Sequence, residues 1–356
     1  MQLLLLLALL SPLTHSQSFI EAISAYPQLS NFTALLLNDT SLTASLLNTT
    51  SHNQTILAPS NTAFLQYQTL TGQSIEAVDP NLLINTLQYH TLNATLNSQS
   101  LKSGATAQKG AVVGTQLIDT RYNRKGKLDE SNIGSPGQVV YITTAGAAGK
   151  LGRGVESGLS GRQLRVGATV NAGAGTSTNM DLVDGTWDGG TFQIVDSFLT
   201  LPINCTTTIA SVNLTNLTTA VSNVGKTDKW NSYQGITCLA PSTFIGTDLS
   251  TTNPDKIHTL SNLLGAHIID GPQYTTTFQD GQTFISGANT TIKVTVDQVG
   301  LVWFNDARVV RANVVTNNGV IHVLDKVRCF CSFPWARGFS LCYLLVCADC
   351  CAAGSV

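Results

Sequence analysis

Charge is scarce in this chain: 19 basic and 21 acidic side chains among 356 residues give 11% charged residues and a formal charge of −2. That balance supplies no positive field of the kind that holds a phosphate backbone, which excludes nucleic-acid binding as its main business. Cysteine is nearly absent from the body. Cys205 and Cys238 are alone in the first 327 residues, so the body is not a disulfide scaffold, whereas Cys329, Cys331, Cys342, Cys347, Cys350 and Cys351 crowd into the last 29. The tail lacks the paired CxxC and His spacing of a structural zinc site, so no metal is expected. Up to Val327 no apolar run reaches the roughly 20 residues a membrane span requires.

What is present is apolar residue in quantity, 43% of the chain, enough for one to three globular domains. Leu3 to Leu10 is too short to span a bilayer and reads as the apolar core of a signal peptide, with cleavage expected before Gln17. Nine Asn-x-Ser/Thr sequons follow, at Asn31, Asn38, Asn48, Asn53, Asn93, Asn204, Asn213, Asn216 and Asn289, in keeping with the secretory route. In an oxidising compartment Cys205 and Cys238 are expected to pair; two buried thiols are the alternative.

Three landmarks occur twice in the same order. Thr55-Ile56-Leu57-Ala58-Pro59-Ser60 is answered by Thr237-Cys238-Leu239-Ala240-Pro241-Ser242, with Phe64 or Phe244 soon after. Helices are predicted to start at Asp79-Pro80 and Asn253-Pro254, each a cap followed by proline. Leu83 and Leu87 share a helical face with His90, as Leu260 and Leu264 do with His267. Closing strands follow turns at Gly190 and Gly319, six residues before Asp196 and Asp325 respectively. Strands are also predicted over Val294 to Val302 and Arg308 to Val315, flanking a turn at Asn305-Asp306-Ala307. The first copy is longer between its histidine and its closing strand, which predicts one insertion within Gly104 to Gly175, where Arg121, Arg124, Lys125 and Lys127 form a basic cluster. The order of elements predicts an α+β fold.

These landmarks resemble those of the fasciclin (FAS1) domain, in two tandem copies over residues 17–327. The resembling segments are Thr55 to Phe64, Leu87-Gln88-Tyr89-His90-Thr91-Leu92 and Gly319 to Val327. The resemblance implies, for each copy, a twisted β-sandwich with helices packed at one edge, and a secreted or cell-surface adhesion or matrix role without catalysis or cofactor. The glycine-rich insertion and the Leu201-Pro202 junction are similar to fungal secreted members. Gln193 departs from the pattern by standing where the second copy has His322, and Ala266 stands where the first copy has Tyr89. If binding resides at the Tyr-His segment, Tyr89 and His90 are its candidates; a structural role for both is the alternative.

The expected organisation is therefore a signal peptide at 1–16, a first domain at 17–200, a second at 201–327 and a tail at 328–356. Partners expected are cell-surface or matrix proteins or polysaccharides. The tail is open to three readings: a removed membrane-anchor signal, a retained cross-linking segment, or translated intron sequence. Pro202 suits a protease-accessible break between domains. Two other functions compete with this reading. A polysaccharide- or lipid-binding module would use the basic cluster or an apolar pocket, and a secreted hydrolase would require Ser60, His90 and Asp196 to converge.

Overall fold

The computed structural model describes residues 17–47, 53–102, 109–124, 137–144, 167–244, 249 and 253–328. The first domain opens with three helices, α1 (Phe19–Ser24), α2 (Ser30–Asn38) and α3 (Thr40–Leu47), followed by β1 (Gln54–Pro59), α4 (Asn61–Thr71), α5 (Pro80–His90), β2 (Thr91–Leu92) and α6 (Ser98–Lys102). Then come β3 (Ala111–Gly114), β4 (Val139–Thr144), β5 (Ala168–Asn171), β6 (Ser177–Trp187) and β7 (Gly190–Val195). The second domain runs through α7 (Cys205–Ser211), α8 (Thr215–Asn223), α9 (Thr227–Ser232), β8 (Ile236–Pro241), α10 (Pro254–Ala266) and β9 (Ile268–Asp270). It finishes with β10 (Thr283–Ile285), β11 (Thr291–Val296), β12 (Val302–Phe304), β13 (Ala307–Thr316) and β14 (Gly319–Leu324). The helix starts follow their caps: Ser18 and Glu21 form a capping box on α1, and Asp79 and Asn253 accept backbone N–H bonds at the Pro-led starts of α5 and α10.

Each domain is one seven-stranded sheet of the same plan, β2-β1-β7-β6-β5-β4-β3 and β9-β8-β14-β13-β12-β11-β10. In each, the Ala-Pro-Ser strand lies parallel to the closing strand, β1 on β7 and β8 on β14, while the neighbouring strands run antiparallel. The sheet curls until its edges meet, at Leu92 with Thr115 and at Ile269 with Ser286, which makes the sandwich barrel-like. Alternation along the strands divides the core. Ile56, Ala58, Phe192 and Ile194 face the helices with Phe19, Phe32 and Leu87, whereas Leu57 and Val195 point inside the barrel with Tyr89, Val140 and Met180. The second domain repeats the division, with Cys238, Ala240, Ile321 and Val323 toward its helices and Leu239 and Leu324 inward.

Glycine opens both closing strands for a steric reason. A Cβ at Gly190 would collide with the carbonyl oxygen of Gln54, and one at Gly319 with that of Ile236, because the parallel partner lies directly against each turn. Gly319→Ala is therefore expected to cost about 1–3 kcal/mol through forced separation of β8 and β14. A thermal melt unchanged from wild type would contradict this.

The expected single insertion takes a different form. Residues 111–171 contribute β3, β4 and β5, the counterparts of β10, β11 and β12. The extra length lies instead in two connections, 115–138 and 145–167, whose counterparts are 286–290 and 297–301. The strand predicted over Val294 to Val302 is likewise two strands. Asp297 folds a turn between them, its carboxylate accepting from the N–H groups of Val299 and Leu301 at 3.0 and 2.7 Å. Arg328, beyond the expected end of the body at Val327, is packed into it: it is 1% exposed, and its backbone N–H donates to His267.

The junction is packed rather than open. Pro202 is buried against Gly173, whose N–H donates to Thr200 O at 3.0 Å, and Asn317 N–H donates to Ile203 O at 2.8 Å. Pro202 is thus packed into the junction, where the sequence suggested an accessible break. Limited proteolysis of the native protein is expected to spare that bond; early cleavage there would contradict the packing.

Candidate functional site: the Tyr-His segment and the domain seam

The last turn of α5 places Tyr89 and His90 in the interior, both 0% exposed. Tyr89 lies inside the barrel and its hydroxyl donates to Val139 O at 2.9 Å. The Nδ1–H of His90 donates to Leu57 O at 2.7 Å, and its Nε2 accepts the N–H of Leu199 at 2.9 Å. Burial holds the His90 pKa down at about 4, so the ring is neutral and can accept. His90 thereby ties the end of α5 to strand β1 and to the segment leaving the domain. Contact of Tyr89 or His90 with a partner would require this part of the core to open.

The second domain uses His267 similarly. Its Nε2 accepts the N–H of Arg328 at 3.2 Å, and Nδ1–H donates within α10 to Leu263 O at 2.8 Å. Leu199 and Arg328 occupy the same place, nine residues after Gly190 and Gly319. Burial first, and then the nearby Arg328 charge, lower the His267 pKa to about 4.

Gln193 and His322, unlike in chemistry, perform the same task. The neighbouring strand is bulged in both domains, between Asp181 and Gly185 in β6 and between Arg311 and Val314 in β13. Each bulge contains a left-handed residue, Asp184 with φ 48° or Asn313 with φ 55°. Gln193 Oε1 accepts the freed N–H groups of Val183 and Asp184 at 2.9 and 3.0 Å, while Nε2 donates to Leu96 O and Asp184 Oδ1. His322 Nδ1 accepts Asn313 N–H at 3.3 Å and Nε2–H donates to Gln273 O at 2.8 Å. The bulge residues in turn hold a helical turn, Asp184 through Ser98 and Asn313 through Thr275. Spacing alone did not reveal this nine-residue pairing of Asp184 with Gln193 and Asn313 with His322, since neither member is the same residue in both copies. His322→Gln, which installs the first domain's solution, is expected to cost under about 1 kcal/mol, whereas His322→Ala strands a buried N–H and costs about 1–3 kcal/mol or more. Equal losses from the two variants in urea unfolding would contradict the shared role.

Ser60 lies beside Asp196, its N–H donating to Val195 O at 2.9 Å, but its hydroxyl caps α4 by accepting Ala63 N–H and both His90 ring nitrogens are taken by backbone groups. Cys205 and Cys238 are free thiols, both buried in the helix-facing core of the second domain. The hydrogen bond that the Cys238 thiol makes to Cys205, and then burial, push the Cys238 pKa up. Of the sequons, Asn31, Asn38, Asn53, Asn93, Asn213, Asn216 and Asn289 are exposed, Asn204 is half-buried as the cap of α7, and Asn48 lies outside the described residues. Lys125, Lys127 and the cysteine-rich tail also lie outside them. Among the described residues no helix is long and apolar enough to cross a membrane.

Sequence reasoning missed the seam between the domains. Strand β4 is buried on both faces: Val140 and Ile142 fill the first barrel, while Val139 and Tyr141 pack with Tyr274, Phe278, Val315 and Val320 of the second domain. Around it Gln138 Nε2 donates to Thr316 O at 3.0 Å, Lys109 Nζ to Phe278 O at 3.1 Å and Asn317 Nδ2 to Arg121 O at 3.0 Å, and Gly173 bridges to Val315. The available signal was the uninterrupted apolar run Val139-Val140-Tyr141-Ile142, longer than a half-buried strand requires.

The architecture is thus a pair of like α+β domains whose repeated polar residues are turned inward. The fasciclin domain profile matches residues 27–147 and 206–328, and the chain belongs to that family. It is 27% identical over 338 residues to a fasciclin-like arabinogalactan protein of Arthroderma benhamiae, covering 91% of this chain and 69% of that protein. It is 25% identical over 324 residues to the fasciclin-like arabinogalactan protein elcF of Phaeosphaeria nodorum, covering 90% of each. Among solved structures, a FAS1 domain pair from the insect cell adhesion molecule fasciclin I aligns with 85% of this chain and 97% of that one, at 16% identity and a TM-score of 0.36.

Proposed function

We propose that this protein is a non-catalytic adhesion protein of the cell surface or extracellular matrix, acting through its joined pair of fasciclin domains. The observation that carries this is the family match in both halves of the chain, in domains whose landmark side chains serve the fold and leave the outer surface for contact. Two features support the extracellular setting: seven exposed sequons, and relatives named as fasciclin-like arabinogalactan proteins. Matrix or cell-surface proteins and polysaccharides are the partners such a surface would meet.

In that setting Cys205 and Cys238 oxidise to a disulfide, two protons and two electrons passing to a disulfide-carrying oxidant. The closed loop would stabilise the second domain by about 3–4 kcal/mol in the chain-entropy account. Peptide mapping of the unreduced secreted protein is expected to find them linked, and alkylation of both thiols without reduction would contradict this. The function itself is tested by coating a surface with the mature protein. Cell attachment above that on an albumin-coated surface is expected; attachment equal to albumin would refute the adhesion role.

A further inference from the structure

The start of the first domain is tied to a turn far along the chain. Gln17 N–H donates to Asp188 Oδ1 at 3.0 Å, and Gln17 O accepts Asp188 N–H at 3.1 Å, a reciprocal pair between positions 171 residues apart. Both residues are exposed, yet both are held. Asp188 sits in the turn between β6 and β7, which Gln54 pins from behind: its N–H donates to Gly189 O at 3.4 Å and its carbonyl lies against Gly190. On the other side, Ser18 and Glu21 form the capping box of α1, and the buried Phe19 packs on Phe32, Trp187 and Phe192 with ring centres 5.3 to 6.2 Å apart. Gln17 therefore has little freedom to swing away from Asp188.

The small residues Thr14 and Ser16 place the expected signal-peptide cleavage before Gln17; the leader itself, 1–16, lies outside the described residues. Cleavage there turns the Gln17 N–H into an α-ammonium, with three donors and a full positive charge at the atom that already faces Asp188. A charge-assisted bond of this kind is stronger than the amide bond it replaces. A second carboxylate stands close by in Glu21, whose Oε2 accepts the N–H and the hydroxyl of Ser18 at 2.9 Å each.

We infer that Asp188 is the docking site for the amino terminus created by signal-peptide removal, and that the ion pair keeps Gln17 an open glutamine. An N-terminal glutamine otherwise cyclises. Its neutral α-nitrogen attacks the carboxamide carbon of its own side chain, a C–N bond forms, the bond to Nε2 breaks, and ammonia leaves with the proton that the α-nitrogen gives up. Only the neutral amine can attack, and a carboxylate 3.0 Å away favours the ammonium, so the reactive form is depleted. Ring closure would also exchange three charged donors for one neutral N–H. An exposed ion pair adds little to stability, so the consequence lies in reactivity rather than in melting. The inference rests on the extracellular setting proposed above and assigns a modification-sensitive site within it.

The test is mass spectrometry of the amino-terminal peptide of the full chain secreted from a eukaryotic host. An open Gln17 is expected at its start. At pH 8 about half of an ordinary α-amine is neutral, against about a tenth of one whose pKa is raised by about one unit. Folded wild type incubated at pH 8 is therefore expected to lose ammonia about fivefold more slowly than Asp188→Asn, which keeps the shape of the side chain without its charge, or than wild type unfolded in urea. Glu21→Gln, which alters the neighbouring carboxylate, should stay near wild type. Circular dichroism establishes that each variant is folded. Independently of any variant, acylation of the wild-type amine is expected to follow a pKa above the ordinary value of about 7.7–8.0. A mature chain that starts elsewhere, a terminus already cyclised on secretion, or equal rates in the folded, unfolded and Asp188→Asn proteins would overturn the inference. The same peptide separates the two proposals: a chain in the medium that begins at Gln17 and cyclises at the unfolded rate removes the docking and keeps the extracellular setting, whereas a chain retained in the cell with its leader uncut removes both.

Discussion

Stability is expected to fall steeply as the pH is lowered from 6.5 to 4. His90, His267 and His322 each have a folded-state pKa of about 4, with burial the leading cause, against about 6.5 for an unfolded histidine. Between those values the unfolded chain binds more protons than the native one, so each histidine's contribution is complete above pH 6.5 and is lost as the pH falls toward 4. The loss is on the order of 3 kcal/mol per ring from the 1.36 kcal/mol carried by each pKa unit. Three such rings compare with a typical total stability of about 5–15 kcal/mol. Protonation also destroys a specific bond in each case, because an imidazolium cannot accept the N–H of Leu199, Arg328 or Asn313. Urea midpoints measured from pH 7 to pH 4 should drop accordingly. His322→Gln should flatten that dependence by about a third, since the replacement keeps the bulge satisfied and does not titrate; a pH dependence as steep as wild type would be evidence against it.

The second large effect is expected from Tyr141→Ala. Tyr141 belongs by sequence to the first domain, yet its ring is buried in the second domain's core, with its hydroxyl donating to Lys109 O at 2.9 Å. Removing a buried aromatic of this size costs about 3–5 kcal/mol. Here the loss falls on the contact that joins the domains, so the expected consequence is uncoupling as well as destabilisation. Calorimetry of the wild-type protein should give a single cooperative transition, and Tyr141→Ala should split it in two. Two transitions in the wild type, or a variant that still melts as one unit, would show that β4 does not couple the halves.

Much of this architecture was legible in the sequence because it is written twice. The Ala-Pro-Ser strands, the Pro-led helices ending near His90 and His267, and the glycine-opened closing strands all lie where spacing placed them, and together they gave the tandem pair. What stayed hidden has physical causes. Strands β3 and β5 are four residues each, and β4 sits between two long connections, the second of them rich in glycine and alanine. The bulge pairs were concealed because glutamine and histidine satisfy the same backbone groups with different atoms. The packed junction was concealed because proline marks both accessible breaks and tight packing, and only the position of Gly173 decides which applies here. The seam also runs through Asn317, an ordinary turn residue in sequence, which reaches the first domain at Arg121 O only after folding.

The landmark histidines face inward, and proton NMR of the histidine rings of the native protein between pH 8 and pH 3.5 tests this most directly. The signals of His90, His267 and His322, assigned through single His→Gln variants, are expected to hold their neutral positions down to about pH 5 and to change only as the fold is lost. Titration of His90 or His267 in the native protein near pH 6.5 would place that ring in solvent, restore the Tyr-His segment as a candidate contact surface, and contradict the structural role given to it here.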